Sequence, residues 1–158
     1  ILENFLINFS KEYEIPLLIC RVSTIYGDSP SIRKFGFINY LKQCALKNIS
    51  PVIYGKDTYR DYLHIKDLIN ILMKISKKNL LSNTYNISYG KSYSCFQIYE
   101  KVKEYLNQSG IELKDFQDQG IREGENKKIF ISSNKLKNEI FWKPKININE
   151  GIKEISIN

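Results

Sequence analysis

The groups able to do chemistry in this 158-residue chain are few and scattered. Its one histidine, His64, follows a strand-like pattern and reads as a histidine satisfied within a sheet rather than as a catalyst. Cys20, Cys44 and Cys95 stand among apolar or non-ligating neighbours, with no CxxC pair. That spacing argues against a zinc site and against a disulfide framework. The eight glycines occur singly, so the chain has no glycine-rich loop to wrap a dinucleotide pyrophosphate. What remains is a set of short polar motifs: Thr24 ahead of Tyr26-Gly27, Tyr54 beside Gly55, Arg60-Asp61, and Arg122-Glu-Gly-Glu125. Arginine suits anions because its planar fork can bond two oxygens at once. The plainer readings are surface or helix-capping arginines and a core tyrosine on a short strand.

The elements that must position these groups alternate between helix and strand. Leu2, Phe5, Leu6 and Phe9 recur at helical spacing with no capping residue before them, which predicts the tail of an amphipathic helix cut from a longer sequence. Residues 15–20 are a continuous apolar run, suited to a strand buried on both faces of a parallel sheet. A turn follows over 26–31, then a helix over 36–47, a strand over 51–54, and a strand over 62–65 leading to Asp67 as N-cap of a helix through Lys74. Residues 84–87 predict a further strand, 89–94 a turn and cap, and 96–107 a helix that Gly110 stops. Strands are expected at 111–116 and 129–131, a polar loop at 120–128, and small helices at 134–140 and after Asn149. A helix running into a buried strand marks the chain as α/β.

Composition narrows the partners. Hydrophobic residues make 42% and charged residues 26%, ordinary for one globular unit spanning 1–158, and the net charge is +7. Such a charge permits an anionic partner without choosing one. The basic residues fall in dispersed pairs such as Lys77-Lys78 and Lys127-Lys128, which read as solvated ends and loops rather than a nucleic-acid stripe. No apolar run approaches the roughly 20 residues of a membrane span. The opening ILENFLINFSKEYE carries acids where a secretory signal would be basic, so the chain reads as cytoplasmic, with no membrane partner.

Order, rather than any single motif, carries the functional signal. Arg21-Val-Ser-Thr-Ile-Tyr-Gly27, Val52-Ile-Tyr-Gly55, Arg60-Asp-Tyr-Leu-His-Ile-Lys-Asp67, Tyr85-Asn-Ile87, Arg122-Glu-Gly-Glu125, and Trp142-Lys-Pro144 with Glu150-Gly151 follow one another along nearly the whole chain. In that order they resemble the extended short-chain dehydrogenase/reductase family, nearest in pattern to UDP-glucose 4-epimerases and nucleotide-sugar 4,6-dehydratases.

The resemblance implies the C-terminal part of a Rossmann-type enzyme: late sheet strands, with 1–20 and 84–87 contributing to the Rossmann sheet, plus a small α+β substrate-binding domain. It implies a nucleotide-sugar substrate, a homodimer, and NAD in the full-length parent but not on this chain. Glu3 matches the glutamate one helical turn after the family's Tyr-x-x-x-Lys pair, so both catalytic residues would precede Ile1 and none would lie here. Arg60 and Arg122 would bind the pyrophosphate, Glu125 the ribose hydroxyls, Tyr54 the base, and Thr24 the sugar or phosphate. Asp61 would orient Arg60 or its own loop, Asn86 would be structural, and Trp142 and Pro144 would anchor packing.

The chain departs from the family pattern at four places. Thr24 replaces an asparagine, Glu125 an aspartate and Phe141 a glycine, and the loop over 55–60 is one residue short. Two other functions compete. A reductase of a 4-keto sugar or small ketone shares the fold but gives the arginines no pyrophosphate to neutralise. A basic nucleic-acid-binding module rests on the net charge alone.

Overall fold

A computed structural model describes residues 1–28, 36–78 and 83–156. The elements are α1 (Leu2–Glu12), β1 (Leu18–Val22), β2 (Thr24–Tyr26), α2 (Phe37–Leu46), β3 (Val52–Ile53), β4 (Tyr59–His64), α3 (Ile65–Lys77), β5 (Asn83–Ile87), β6 (Ser92–Ser94), α4 (Cys95–Gln108), β7 (Gln117–Asp118), α5 (Asn134–Ile140) and α6 (Ile148–Lys153). The turn expected at 26–31 lies partly outside the described residues. No helix among them is long and apolar enough to cross a membrane.

Among the described residues, three small sheets organise the chain. β1 runs parallel to β5, from Leu18 opposite Asn83 to Val22 opposite Ile87. β2 runs parallel to β4, and β4 runs antiparallel to β6. β3 pairs in parallel with β7. The expectation that 15–20 is buried on both faces is corrected: β1 starts at Leu18, its residues are half-buried and Arg21 is exposed. Among the described residues β1 has one paired neighbour, and α1 buries none of its side chains, so neither covers a full face. Ile15 is instead tied to the end of α1, its N–H donating to the Ser10 carbonyl.

Among the described residues, two apolar clusters form the core. One joins α2, α4 and α6 through residues such as Leu41, Ile98 and Ile152. The other packs Leu63, Ile71, Tyr85 and Ile87 against Leu136 and Trp142. Full burial of an aliphatic side chain is worth about 1.5–3 kcal/mol, so the second cluster holds α3 and α5 against β4 and β5. Trp142 is the packing anchor the sequence suggested, while Pro144 is only half-buried.

Several expectations fail for identifiable reasons. Asp67 is not the N-cap of α3; His64 is, its Nδ1 accepting from the Lys66 N–H at 3.3 Å. Asp67 sits in the first turn, buried, and receives the N–H groups of Lys145 and Ile146. β4 begins three residues early because Tyr59–Asp61 pairs with β6, a strand hidden in the supposed turn at 89–94. The expected strand at 111–116 is absent, since Leu113 is spent as a core plug and pairing resumes only at β7. Residues 129–131 make no strand either: one bridge joins Tyr59 to Lys128, and Ile129 and Phe130 stay exposed.

Candidate nucleotide-sugar cavity

A cavity of about 760 Å³ opens where β2, β4, α2 and the loop after β7 converge. Thr24, Tyr54, Arg60, Arg122 and Glu125 all line it, although they are drawn from four separate stretches of sequence. Thr24 opens β2 and lies opposite Tyr62 of β4 in register. Arg60 is two residues before Tyr62, and residues at that spacing share one face of a strand. Tyr54 follows β3 directly. Arg122 and Glu125 close a turn, the Glu125 N–H donating to the Arg122 carbonyl at 3.1 Å, with Gly124 at φ 74°.

The two arginines have different partners. Arg60 Nη2 donates to Glu125 Oε1 at 2.5 Å, and Nη1 donates to the carbonyls of Tyr59 and Asn126 at 2.8 and 3.0 Å. Its side chain is 17% exposed, so the fork is held in one place at the cavity wall. Arg122 is exposed and lies over the Tyr54 ring, its guanidinium carbon 3.8 Å from the centroid. Glu125, expected to face ribose hydroxyls, is here the counter-ion of Arg60.

Neighbouring groups serve the wall rather than the opening. Asp61 is buried and receives the N–H groups of Tyr89 and Gly90 at 2.8 and 2.6 Å, so it orders the loop before β6. Asp118 holds the glycine turn after β3, accepting from Gly55 at 3.2 Å and from Gly120 at 3.0 Å. Asn86 sits within β5, opposite Arg21.

His64 corrects its own expectation. It is buried, and although Nδ1 is used as a cap, Nε2 has no hydrogen-bond partner among the described residues; Glu154 Oε2 lies 3.7 Å away. Burial lowers its pKa below the ordinary histidine value, and Glu154 opposes that.

Sequence reasoning missed Phe37, Tyr40, Tyr62 and Cys95 as lining residues. Tyr62 was findable from its two-residue spacing to Arg60. Phe37 and Tyr40 lie three apart on α2, the spacing that puts side chains on one helical face. Cys95 gave no local signal; burial pushes its thiol pKa up, and Arg60 draws it partly back.

Comparison with known proteins identifies the family and the fold. Residues 1–155 match the family model for GDP-mannose 4,6 dehydratase. A Methanocaldococcus jannaschii protein provisionally named UDP-glucose 4-epimerase is 30% identical over 156 residues, covering 97% of this chain and 48% of that protein. The UDP-glucose 4-epimerase of Thermotoga maritima, solved with UDP-glucose, superposes at a TM-score of 0.83 and 23% identity, covering 96% of this chain and 48% of the other. The dTDP-glucose 4,6-dehydratase of Bacillus anthracis, solved with NAD, gives 0.78 and 24%, covering 96% and 47%. The chain spans about half the length of the relatives it matches. It belongs to the extended short-chain dehydrogenase/reductase family of nucleotide-sugar epimerases and dehydratases, and its fold matches the C-terminal half of their Rossmann-type architecture.

Proposed function

We propose that this chain is the nucleotide-sugar-gripping part of an NAD-dependent epimerase or dehydratase. The observation that carries the reading is the convergence of Thr24, Tyr54, Arg60, Arg122 and Glu125 on one cavity. A nucleotide sugar offers that cavity a pyrophosphate, a planar base and a polyhydroxylated ring. Arg60 is pre-positioned by two carbonyls and exchanges Glu125 for pyrophosphate oxygens, which match its fork. Tyr54 with Arg122 above it forms a flat wall for the base, and Arg122 also contributes positive charge. Once displaced from Arg60, Glu125 is free to accept from ribose hydroxyls. Thr24 presents a hydroxyl toward the sugar or its phosphate.

Oxidation of the sugar hydroxyl needs a general base and a hydride acceptor. NAD supplies the second chemistry in family members. The residues of this chain do not fit its pyrophosphate, because every glycine is isolated and no glycine-rich turn opens a helix. The chain's own part is to bind the nucleotide and hold the hexose in one orientation.

Titration calorimetry of the 158-residue chain with UDP-glucose, dTDP-glucose and GDP-mannose tests the reading. Saturable binding of at least one, abolished by excess of its nucleoside diphosphate, is expected. Absence of binding to all three contradicts it.

A further inference from the structure

We propose that Gly151 is a positioning residue for the cavity, acting through Tyr26. Glycine is unfavourable in a helix interior, so one there needs a packing reason. Gly151 lies inside α6, and a Cβ built on it would stand 2.2 Å from the Tyr26 hydroxyl oxygen and 2.7 Å from two ring carbons. Those separations are shorter than any real contact. The missing side chain is therefore a seat for the tyrosine tip.

The seat is fixed on its other sides. The Tyr26 hydroxyl donates to the Asn147 carbonyl at 3.2 Å, the same carbonyl that receives the Gly151 N–H at 2.9 Å. The ring stands edge-on to Tyr62 and His64, with centroids 6.4 and 5.1 Å away. Beyond Tyr26 the chain turns at Gly27, where a Cβ would meet Ile65 Cγ2 at 2.7 Å and His64 Nε2 at 2.9 Å. Asp28 then accepts from the Ser156 N–H at 2.9 Å.

Tyr26 transmits this seat to the cavity along two short routes. It lies two residues after Thr24 on β2, on the same strand face. Its ring also packs on Tyr62, which lines the cavity and pairs with Thr24. Moving the ring out of α6 shifts β2 and the Thr24–Tyr62 pair together. Gly151 touches no ligand, so its effect on binding is wholly indirect.

Gly151→Ala in the 158-residue chain tests this by two readouts. The amide spectrum is expected to change at Thr24 and Tyr62 as well as in α6, and UDP-glucose affinity to fall about fivefold. Adding Tyr26→Phe removes the oxygen at 2.2 Å and is expected to restore part of both. Changes confined to α6 and its immediate contacts, with affinity within about twofold, overturn the proposal. The affinity arm rests on the nucleotide-sugar reading: if the unaltered chain binds no nucleotide sugar, that reading fails, and the amide shifts alone decide the role of Gly151. Should Gly151→Ala not fold, Tyr26→Leu empties the seat without a clash. It is expected to move the same two amides, and unmoved signals there overturn the proposal.

Discussion

Arg122 lies over Tyr54, its guanidinium carbon 3.8 Å from the ring centroid, whereas Arg60 is paired with Glu125. A cation over an aromatic face is worth about 0.5–2 kcal/mol, and the ring itself gives a base something to lie against. Tyr54→Leu is expected to weaken nucleotide-sugar binding by about 1 kcal/mol, roughly fivefold, whereas Tyr54→Phe keeps the ring and stays near the unaltered value. Calorimetric titration of both variants checks this. Equal losses in the two would assign the effect to the hydroxyl and remove the stacking wall.

Asp67 ties α3 to the segment before α6. Its carboxylate receives the Lys145 and Ile146 N–H groups at 3.0 and 2.9 Å while buried. Asp67→Ala leaves both donors without an acceptor, so a loss of about 3 kcal/mol of stability is expected. A shift in the urea midpoint with an unchanged slope would report it. A loss under about 1 kcal/mol would mean that water or a neighbour takes over the two donors.

Phe141 carries strain that a glycine would relieve. It caps α5 in the left-handed region, at φ 53° and ψ 36°, and is 87% exposed. A side chain there costs about 1–2 kcal/mol, and glycine is the usual residue at such a helix end. Phe141→Gly is expected to raise stability by about 1 kcal/mol, since the exposed ring gives up little burial. Thermal melts would show it; a lower melting temperature would mean that the ring is packed in solution.

His64 makes stability fall in mild acid. Its folded pKa lies below the ordinary 6.5, with burial the leading cause, Glu154 opposing it, Lys66 adding to it and Asp67 opposing it. Nδ1 is already an acceptor for the Lys66 N–H, so the added proton also breaks the helix cap. A depressed folded pKa contributes stability that is present above 6.5 and is lost as pH falls below it through the folded value. Glu154 stays ionised through this window, because its hydrogen bond to Lys66 lowers its own pKa. His64→Asn keeps a capping oxygen that does not titrate, so its melting temperature should fall less between pH 7.5 and 5.5. Parallel slopes would remove His64 from the account.

How much was legible depended on whether a signal was local. The helices α2, α3 and α4 followed from apolar periodicity, and the capping box of Ser94 with Gln97 marks a start that sequence alone can find. The strand register did not follow. β6 hides among serines and a tyrosine, and only its pairing with Tyr59–Asp61 makes it a strand. Asp67 resembled a cap because residue type was visible while the N–H groups that donate to it, nearly 80 residues away, were not. The cavity residues were named from motif order, and their convergence is a tertiary result. The pairing of Arg60 with Glu125 went unforeseen for the same reason: 65 residues separate them, and each alone looked like a ligand group.

We propose above all that Arg60 grips the pyrophosphate of a nucleotide sugar. Its guanidinium is held by Glu125 and by the Asn126 and Tyr59 carbonyls, so removing it strips one fixed fork and leaves the Glu125 charge facing the anion. The deciding measurement is the affinity of Arg60→Ala for the tightest-bound nucleotide sugar, compared with the unaltered chain and with Arg60→Lys. A loss of about 2–3 kcal/mol is expected for alanine, with lysine recovering only part because a point charge cannot reproduce the fork. Alanine binding as tightly as the unaltered chain would contradict the claim.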